Sequence, residues 1–124
     1  MNAPQKVLVV GTGSIGLRHA RLCKERADLT VECCDSRAAG LEEARSTLGD
    51  VRCWSSLDDA LAAAPDIVVV ATPHEYHEPV AVAAMKAGAH VLCEKPMSHT
   101  AQAAAHMLRV QRERMEGAFL PSLK

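Results

Sequence analysis

The sequence predicts an α/β fold in which a doubly wound, mostly parallel sheet is covered by helices on both faces. Two observations predict it. Short runs of apolar residues alternate with longer segments of helical periodicity along the chain. The runs are apolar at consecutive positions, which is typical of parallel strands buried on both faces. A chain of 124 residues has the length of a single domain of this class.

Each element has its own signal in the sequence. The run Ile-Val-Val-Val after Pro65 gives the clearest strand, because β-branched side chains favour extended backbone. Ser56 followed by Asp59 resembles a helix capping box, and Gly49 and Gly88 are placed to end helices. The predicted strands are residues 7–10, 29–34, 51–54, 66–71 and 90–93. The predicted helices extend from the glycine-rich segment after the first strand to about residue 26, over 38–48, from 56 to about 64, over 76–87, and from Ser98 or Thr100 to about 116.

Composition and charge exclude several classes of function. Fourteen basic and 15 acidic residues give a formal net charge of −1, so the chain lacks the positive surface that holds nucleic acid or an anionic membrane. Aromatic residues make up 2% of the chain, which leaves few platforms for stacking bases. The apolar runs are far shorter than the ~20 residues that span a bilayer, and the N-terminus lacks the pattern of a secretory leader. The five cysteines are odd in number and form no C-x-x-C pair, so we expect reduced thiols and a cytoplasmic protein.

Residues 11–16 carry the pattern G-x-G-x-x-G directly between a predicted strand and a predicted helix. In this context the pattern marks the dinucleotide-binding turn of a Rossmann fold. Gly11 would permit the tight turn, Gly13 would let the backbone approach a pyrophosphate, and Gly16 would let the helix pack close to the strand. The helix N-terminus would offer N–H groups and a partial positive charge to the phosphates. A plain glycine-rich turn is the alternative.

Asp35 follows the second predicted strand, 19 residues after Gly16. A carboxylate at this position accepts hydrogen bonds from ribose hydroxyls and repels a 2′-phosphate, which favours NAD as the cofactor. Arg37 leaves NADP possible, because a guanidinium two residues away is a good partner for a phosphate. The alternative is a surface aspartate that begins the turn into the next helix.

Two further segments follow the fourth and fifth predicted strands. Both would border the same crevice, because ligands bind beyond the carboxyl ends of parallel strands. In the segment 71–77, His74 and His77 are three residues apart, but without a third defined ligand we expect no metal site.

In the segment 93–96, a proline follows Lys95 and biases the lysine away from helix. A cationic nicotinamide nearby would favour loss of the lysine's proton near neutral pH, which suits proton transfer, whereas a solvated lysine in a loop is the alternative.

The chain resembles the N-terminal domain of the glucose–fructose oxidoreductase/inositol dehydrogenase (Gfo/Idh/MocA) family in V-L-V-V-G-T-G-S-I-G-L-R-H, D-I-V-V-V-A-T-P-H-E-Y-H and A-G-A-H-V-L-C-E-K-P-M. The resemblance implies an NAD(P)-dependent oxidoreductase acting on the hydroxyl or keto group of a sugar, cyclitol or similar polyol. It also implies that Lys95 is the catalytic lysine, assisting proton transfer as hydride moves to or from C4 of the nicotinamide. The family commonly has Asn where this chain has His74, so no role is assigned to that histidine. The expected cofactor-binding residues are Gly11, Thr12, Gly13, Ser14, Ile15, Gly16, Asp35, Ser36, Arg37, Ala71, Thr72, Pro73, His77, Glu94, Lys95 and Pro96.

Length is where the chain departs from this family. Members are much longer and carry a second α/β domain that binds substrate and completes the catalytic site. We therefore expect residues 1–117 to form the dinucleotide-binding domain and 118–124 a short tail. Such a chain, whether a truncated product, a fragment or one subunit of a split enzyme, would bind NAD(H) with little or no turnover. The alternatives are a stand-alone nucleotide-binding or regulatory module, joined to a second copy or a partner chain through an exposed sheet edge, and a remnant without function.

Overall fold

The computed structural model describes residues 4–93, 105–106 and 108–112, in which strands and helices alternate as the sequence predicts. The strands are β1 (Gln5–Val10), β2 (Leu29–Cys34), β3 (Arg52–Trp54), β4 (Ile67–Val70) and β5 (His90–Cys93). The helices are α1 (Ser14–Lys24), α2 (Ala38–Leu48), α3 (Leu57–Ala62) and α4 (His77–Lys86). Residues 105–106 and 108–112 are also helical.

The five described strands form one parallel sheet in the order β3-β2-β1-β4-β5. β1 lies at the centre, with β2 on one side and β4 on the other, so the direction of winding reverses between β1 and β4. This arrangement confirms the predicted doubly wound α/β sheet of the Rossmann class. It also opens a crevice beyond the carboxyl ends of β1 and β4, where the connecting segments leave in opposite directions.

Alternation of side chains along the strands builds one apolar core on each face of the sheet. Val7 and Val9 of β1 pack with α1 and α2, whereas Leu8 and Val10 pack with α3 and α4. Val110, in the last described helical segment, joins the core on the α3 and α4 side. None of these four side chains is more than 5% exposed, which is why residues 7–10 of β1 are apolar at consecutive positions.

Several element boundaries differ by one or two residues from the sequence-based prediction, and two of these differences have a clear structural cause. β1 begins at Gln5 because its pairing with β2 extends that far. The predicted helix 76–87 is preceded by a 3₁₀ turn at His74–Tyr76, and α4 begins only after this turn. The amide of Tyr76 donates to the carbonyl oxygen of Pro73 at 2.9 Å and closes the turn. Both ends predicted for the last helix, near 98–100 and near 116, lie outside the described residues.

The sequence predicts reduced thiols and no segment that spans a membrane. None of the five cysteines, all of which lie within the described residues, forms a disulfide. Burial raises the pKa of Cys33 to about 12 and that of Cys34 to about 11, so both remain protonated at neutral pH and act as small apolar side chains. Among the helices that the structure describes, none combines the length and apolar character that a bilayer crossing requires.

Candidate functional site

A cleft with a volume of about 1050 Å³ opens beyond the carboxyl ends of β1, β2 and β4. It lies where the winding of the sheet reverses, which is the general position of ligand sites in open α/β sheets. The turn between β1 and α1 forms one wall, and the segments that follow β2 and β4 form the others.

Gly11 and Gly16 bring the start of α1 close to the sheet. Gly11 has a φ of +98°, and a Cβ at this position would lie 2.6 Å from the carbonyl oxygen of Ala71. A Cβ on Gly16 would lie 1.8 Å from the carbonyl oxygen of Gly11. Both positions therefore require glycine for the packing of the protein itself.

Gly13 has no such contacts, although it belongs to the same turn. Its φ of −74° suits any residue, and a Cβ there would meet no described atom within 4 Å. Gly13 is the N-cap of α1, and no described side chain caps the helix. The first backbone amides of a helix have no acceptor within the helix. Ser14 and Ile15, the first two residues of α1, border the cleft. The space in front of Gly13 is thus not filled by any described residue and is open to a ligand.

Asp35 stands at the end of β2, is 7% exposed and borders the cleft. Its Oδ2 accepts hydrogen bonds from the amide and the hydroxyl of Thr12, at 2.9 and 2.8 Å. The guanidinium of Arg37 donates to both carboxylate oxygens, from Nε to Oδ1 at 3.1 Å and from Nη2 to Oδ2 at 2.9 Å. The amide of Arg37 adds a bond to Oδ1 at 2.9 Å.

These hydrogen bonds set the charge of Asp35. Burial by itself would raise the pKa of the carboxyl, but the bonds donated by Arg37 and Thr12 outweigh it and hold the pKa well below its ordinary value. The cleft therefore contains a carboxylate that stays charged across the physiological pH range.

Gly40, in the first turn of α2, makes room for this carboxylate. A Cβ on Gly40 would lie 2.6 Å from both the Oδ2 of Asp35 and the Oγ1 of Thr12. Gly40 is not among the residues that the sequence predicts for the site. Its signal is a glycine inside a predicted helix, where glycine costs about 1 kcal/mol relative to alanine and therefore calls for a packing reason.

Thr72 and His77 belong to the segment between β4 and α4. The Nε2–H of His77 donates to the carbonyl oxygen of Thr72 at 2.8 Å, and His77 is buried. The Oγ1 of Thr72 is buried at the cleft and has no hydrogen-bond partner among the described residues. His77 therefore holds the backbone of this segment, whereas the buried hydroxyl of Thr72 has no hydrogen bond from the described residues.

The structure brings most of the predicted cofactor-binding residues together. Those that border the cleft are Gly11, Thr12, Gly13, Ser14, Ile15, Asp35, Ser36, Arg37, Ala71, Thr72 and Pro73. Gly16 and His77 are buried beside the cleft without lining it. Glu94, Lys95 and Pro96, including the predicted catalytic lysine, lie outside the described residues.

Seven residues that line the cleft were not predicted. They are Val10, Cys34, Ser55, Leu57, Glu75, Tyr76 and Val80. Val10 and Cys34 end β1 and β2, so the rule that ligands bind at the carboxyl ends of strands would have found them. Ser55 and Leu57 follow β3, and their place at the cleft depends on the pairing of β3 with β2.

Across the described part of the chain, no three His, Cys, Asp or Glu side chains are grouped so that they could hold a metal ion.

Comparison with known proteins identifies the family to which the chain belongs. Residues 5–118 match the Gfo/Idh/MocA profile, which is described as an oxidoreductase family with an NAD-binding Rossmann fold. The chain belongs to this family. The resemblance found in the sequence is confirmed, and the described fold is the NAD-binding Rossmann domain of the Gfo/Idh/MocA family.

Curated relatives within the family are dehydrogenases of greater length. Inositol 2-dehydrogenase from Leifsonia xyli subsp. xyli is 38% identical over 108 residues, which cover 86% of this chain and 32% of that protein. D-glucoside 3-dehydrogenase from Escherichia coli is 32% identical over 115 residues, covering 90% of this chain and 33% of that protein. The chain thus spans about a third of the length of these Gfo/Idh/MocA relatives.

Solved structures of the family superpose closely on this domain. WlbA dehydrogenase from Bordetella pertussis, in complex with NADH and UDP-GlcNAcA, has a TM-score of 0.81 at 31% identity, covering 89% of this chain and 35% of that one. Scyllo-inositol dehydrogenase from Lactobacillus casei, with NAD(H) and scyllo-inositol, has a TM-score of 0.80 at 26% identity, covering 91% and 34%. Both support NAD as the cofactor of this Gfo/Idh/MocA domain.

Proposed function

We propose that this domain holds NAD(H) in the cleft beyond β1, β2 and β4 and serves as the cofactor-binding part of an oxidoreductase. One observation carries the proposal. Gly13, the start of α1 and Asp35 border one cleft, so a site suited to phosphates adjoins a site suited to ribose hydroxyls. The pyrophosphate would lie against the amides of Ser14 and Ile15, and the adenosine ribose against Asp35. The proposed domain comprises residues 1–117, with 118–124 as a tail.

Two features of the cleft fit a bound dinucleotide. In front of Gly13 there is space that no described residue fills. At Thr72 there is a buried hydroxyl without a partner among the described residues, a state that costs about 1–3 kcal/mol until a ligand or water supplies the hydrogen bond. A ribose or amide group of the cofactor would meet that need.

We propose NAD rather than NADP as the preferred cofactor. Asp35 is held in its charged form, and a carboxylate beside the ribose repels a 2′-phosphate. Arg37 forms an ion pair with the same carboxylate. Its positive charge would reduce the repulsion of a 2′-phosphate, so we expect the preference for NAD over NADP to be moderate.

The names of the relatives support a sugar or cyclitol hydroxyl as the group oxidised by the whole protein. Bound NAD would accept the hydride from the carbon that bears this hydroxyl. Lys95, beside Glu94 and Pro96 in the sequence, is proposed to take the hydroxyl proton in oxidation and to return it in reduction. This domain by itself is expected to give little turnover, because hydride transfer needs a substrate held against the nicotinamide ring.

Fluorescence titration tests the cofactor site. The purified chain should give a saturable change in NADH fluorescence and a weaker response to NADPH. ADP-ribose should compete with NADH, because it carries the pyrophosphate and the adenosine ribose assigned to Gly13 and Asp35, whereas reduced nicotinamide mononucleotide should not compete. Absence of a saturable change up to millimolar NADH would contradict the proposal.

A second candidate role is assembly through the edge of the sheet, and β5 favours it. Among the described strands β5 pairs only with β4, and Leu92 on β5 is 54% exposed. An unpaired edge with an exposed apolar side chain favours pairing with a second copy or a partner chain. Light scattering should show a mass that rises with concentration and falls in Leu92→Lys but not in the α1 control Leu22→Lys. A monomer at every concentration would contradict this role.

A further inference from the structure

The guanidinium of Arg37 donates hydrogen bonds to the carboxylate of Asp35, at which the proposed adenosine ribose would bind. Two of its guanidinium nitrogens lie on Asp35, one on each carboxylate oxygen, at 3.1 and 2.9 Å. With the amide of Arg37 and the two bonds from Thr12, Asp35 accepts five hydrogen bonds. A carboxylate offers about four lone-pair sites, so Asp35 has none left for a ribose diol.

A ribose that binds Asp35 must therefore displace one of these donors. The amides of Thr12 and Arg37 are fixed by the backbone at the starts of two helices, and the Thr12 hydroxyl is buried. The Arg37 side chain is 64% exposed, against 6% for that of Asp35. The guanidinium is thus the donor that can leave.

We propose that Arg37 sets the choice between NAD and NADP by competing with the ribose diol of NAD for Asp35 and by pairing with the 2′-phosphate of NADP. The inference rests on the proposed cofactor site. In the free domain the guanidinium takes the place of the two ribose hydroxyls. NAD binds by displacing it, whereas NADP binds by keeping it beside the carboxylate, where it offsets the repulsion between Asp35 and the phosphate.

The competition predicts opposite effects of one substitution on two cofactors. Arg37→Ala removes the competitor, so NADH should bind about threefold more tightly, the gain expected when a largely exposed ion pair no longer has to be broken. The same substitution removes the partner of the 2′-phosphate, so NADPH should bind about tenfold more weakly. A general disturbance of the cleft would weaken both cofactors and would not produce this divergence.

The experiment measures the dissociation constants of NADH and NADPH for the wild-type chain, Arg37→Ala and Arg45→Ala. Arg45 is an exposed arginine on the same helix and does not border the cleft, so its variant matches the change in net charge. Tighter NADH with weaker NADPH in Arg37→Ala, and no divergence in Arg45→Ala, would support the inference. Weaker or unchanged NADH binding in Arg37→Ala would overturn it.

A measurement without cofactor separates this inference from the proposed function. The carboxyl carbon of Asp35, followed by NMR against pH, should titrate at a higher pH in Arg37→Ala than in the wild-type chain. An unchanged titration would overturn the inference even if NADH binds. If the titration moves but neither cofactor binds any variant, the proposed cofactor site is wrong, and the competition at Asp35 is overturned with it.

Discussion

Gly13 and Gly16 belong to one motif but differ in the space around them. A Cβ on Gly16 would collide with the backbone of Gly11 at 1.8 Å, whereas a Cβ on Gly13 would meet no described atom within 4 Å. Gly16 is thus required by the packing of the protein, whereas the space at Gly13 would be filled by the proposed cofactor. The sequence pattern alone does not separate these two requirements.

Substitution of each glycine distinguishes an effect on stability from an effect on cofactor binding. Gly16→Ala should lower the free energy of unfolding by about 2 kcal/mol, because the backbone must move to admit the methyl group. Gly13→Ser should leave that free energy within about 0.5 kcal/mol, since serine is a favoured N-cap in the backbone conformation found there. Urea unfolding and NADH titration check both variants. Gly13→Ser should be folded and bind NADH at least about tenfold more weakly, and full NADH affinity in this variant would contradict the phosphate site.

Asp35 should leave a signature in the acid stability of the free domain. Its pKa in the folded state lies below the ordinary value of 3.8, so the charged carboxylate stabilises the fold above that pH. This contribution is lost as the pH falls through the folded-state value. Asp35→Asn should therefore be less stable at neutral pH and should lose less stability than the wild-type chain on going below about pH 4.

Urea unfolding as a function of pH tests this prediction. The exposed Asp50 supplies the control variant, Asp50→Asn. Parallel pH curves for the wild-type chain and Asp35→Asn would show that the network of Thr12, Asp35 and Arg37 does not stabilise the charged carboxylate.

At the scale of elements, most boundaries follow from local signals. β2, α2 and β5 begin and end where the sequence predicts, and α2 ends at Gly49 with a φ of +79°. The 3₁₀ turn at His74–Tyr76 was not predicted. It depends on contacts with the carbonyl oxygens of Pro73 and Thr72, which are properties of the folded segment and not of residue type.

The short helix α3 depends on its cap. Ser56 Oγ accepts a hydrogen bond from the amide of Asp59 at 3.3 Å, as the capping-box pattern predicts. Ser56→Ala should lower the free energy of unfolding by about 1 kcal/mol, because one amide of the first turn loses its acceptor. Urea unfolding measures this loss against Ser46→Ala, an exposed serine within α2. Equal stability of the two variants would show that α3 does not need the cap.

At the scale of the whole molecule, the two apolar cores share one sheet. β1 contributes alternate side chains to both cores, so neither core persists without the strand between them. We therefore predict a single unfolding transition. Trp54, the one tryptophan of the chain, packs on the α3 and α4 side and reports on one core, whereas far-ultraviolet circular dichroism reports on the whole fold. The two signals should give the same midpoint and shift together with NADH, and separate midpoints would contradict the shared core.

The sequence by itself determined the alternation of strands and helices, the glycine turn and the family. Each depends on residues that are near one another along the chain, where hydrophobic periodicity and glycine conformation act. Only the tertiary structure decided that Gly40 lies against Asp35, that Ser55 borders the cleft, and that Arg37 sits on the proposed ribose site. The place of Ser55 depends on the pairing of β3 with β2. The contacts of Gly40 and Arg37 with Asp35 depend on the path of the chain after β2 and on side-chain geometry, which residue patterns do not encode.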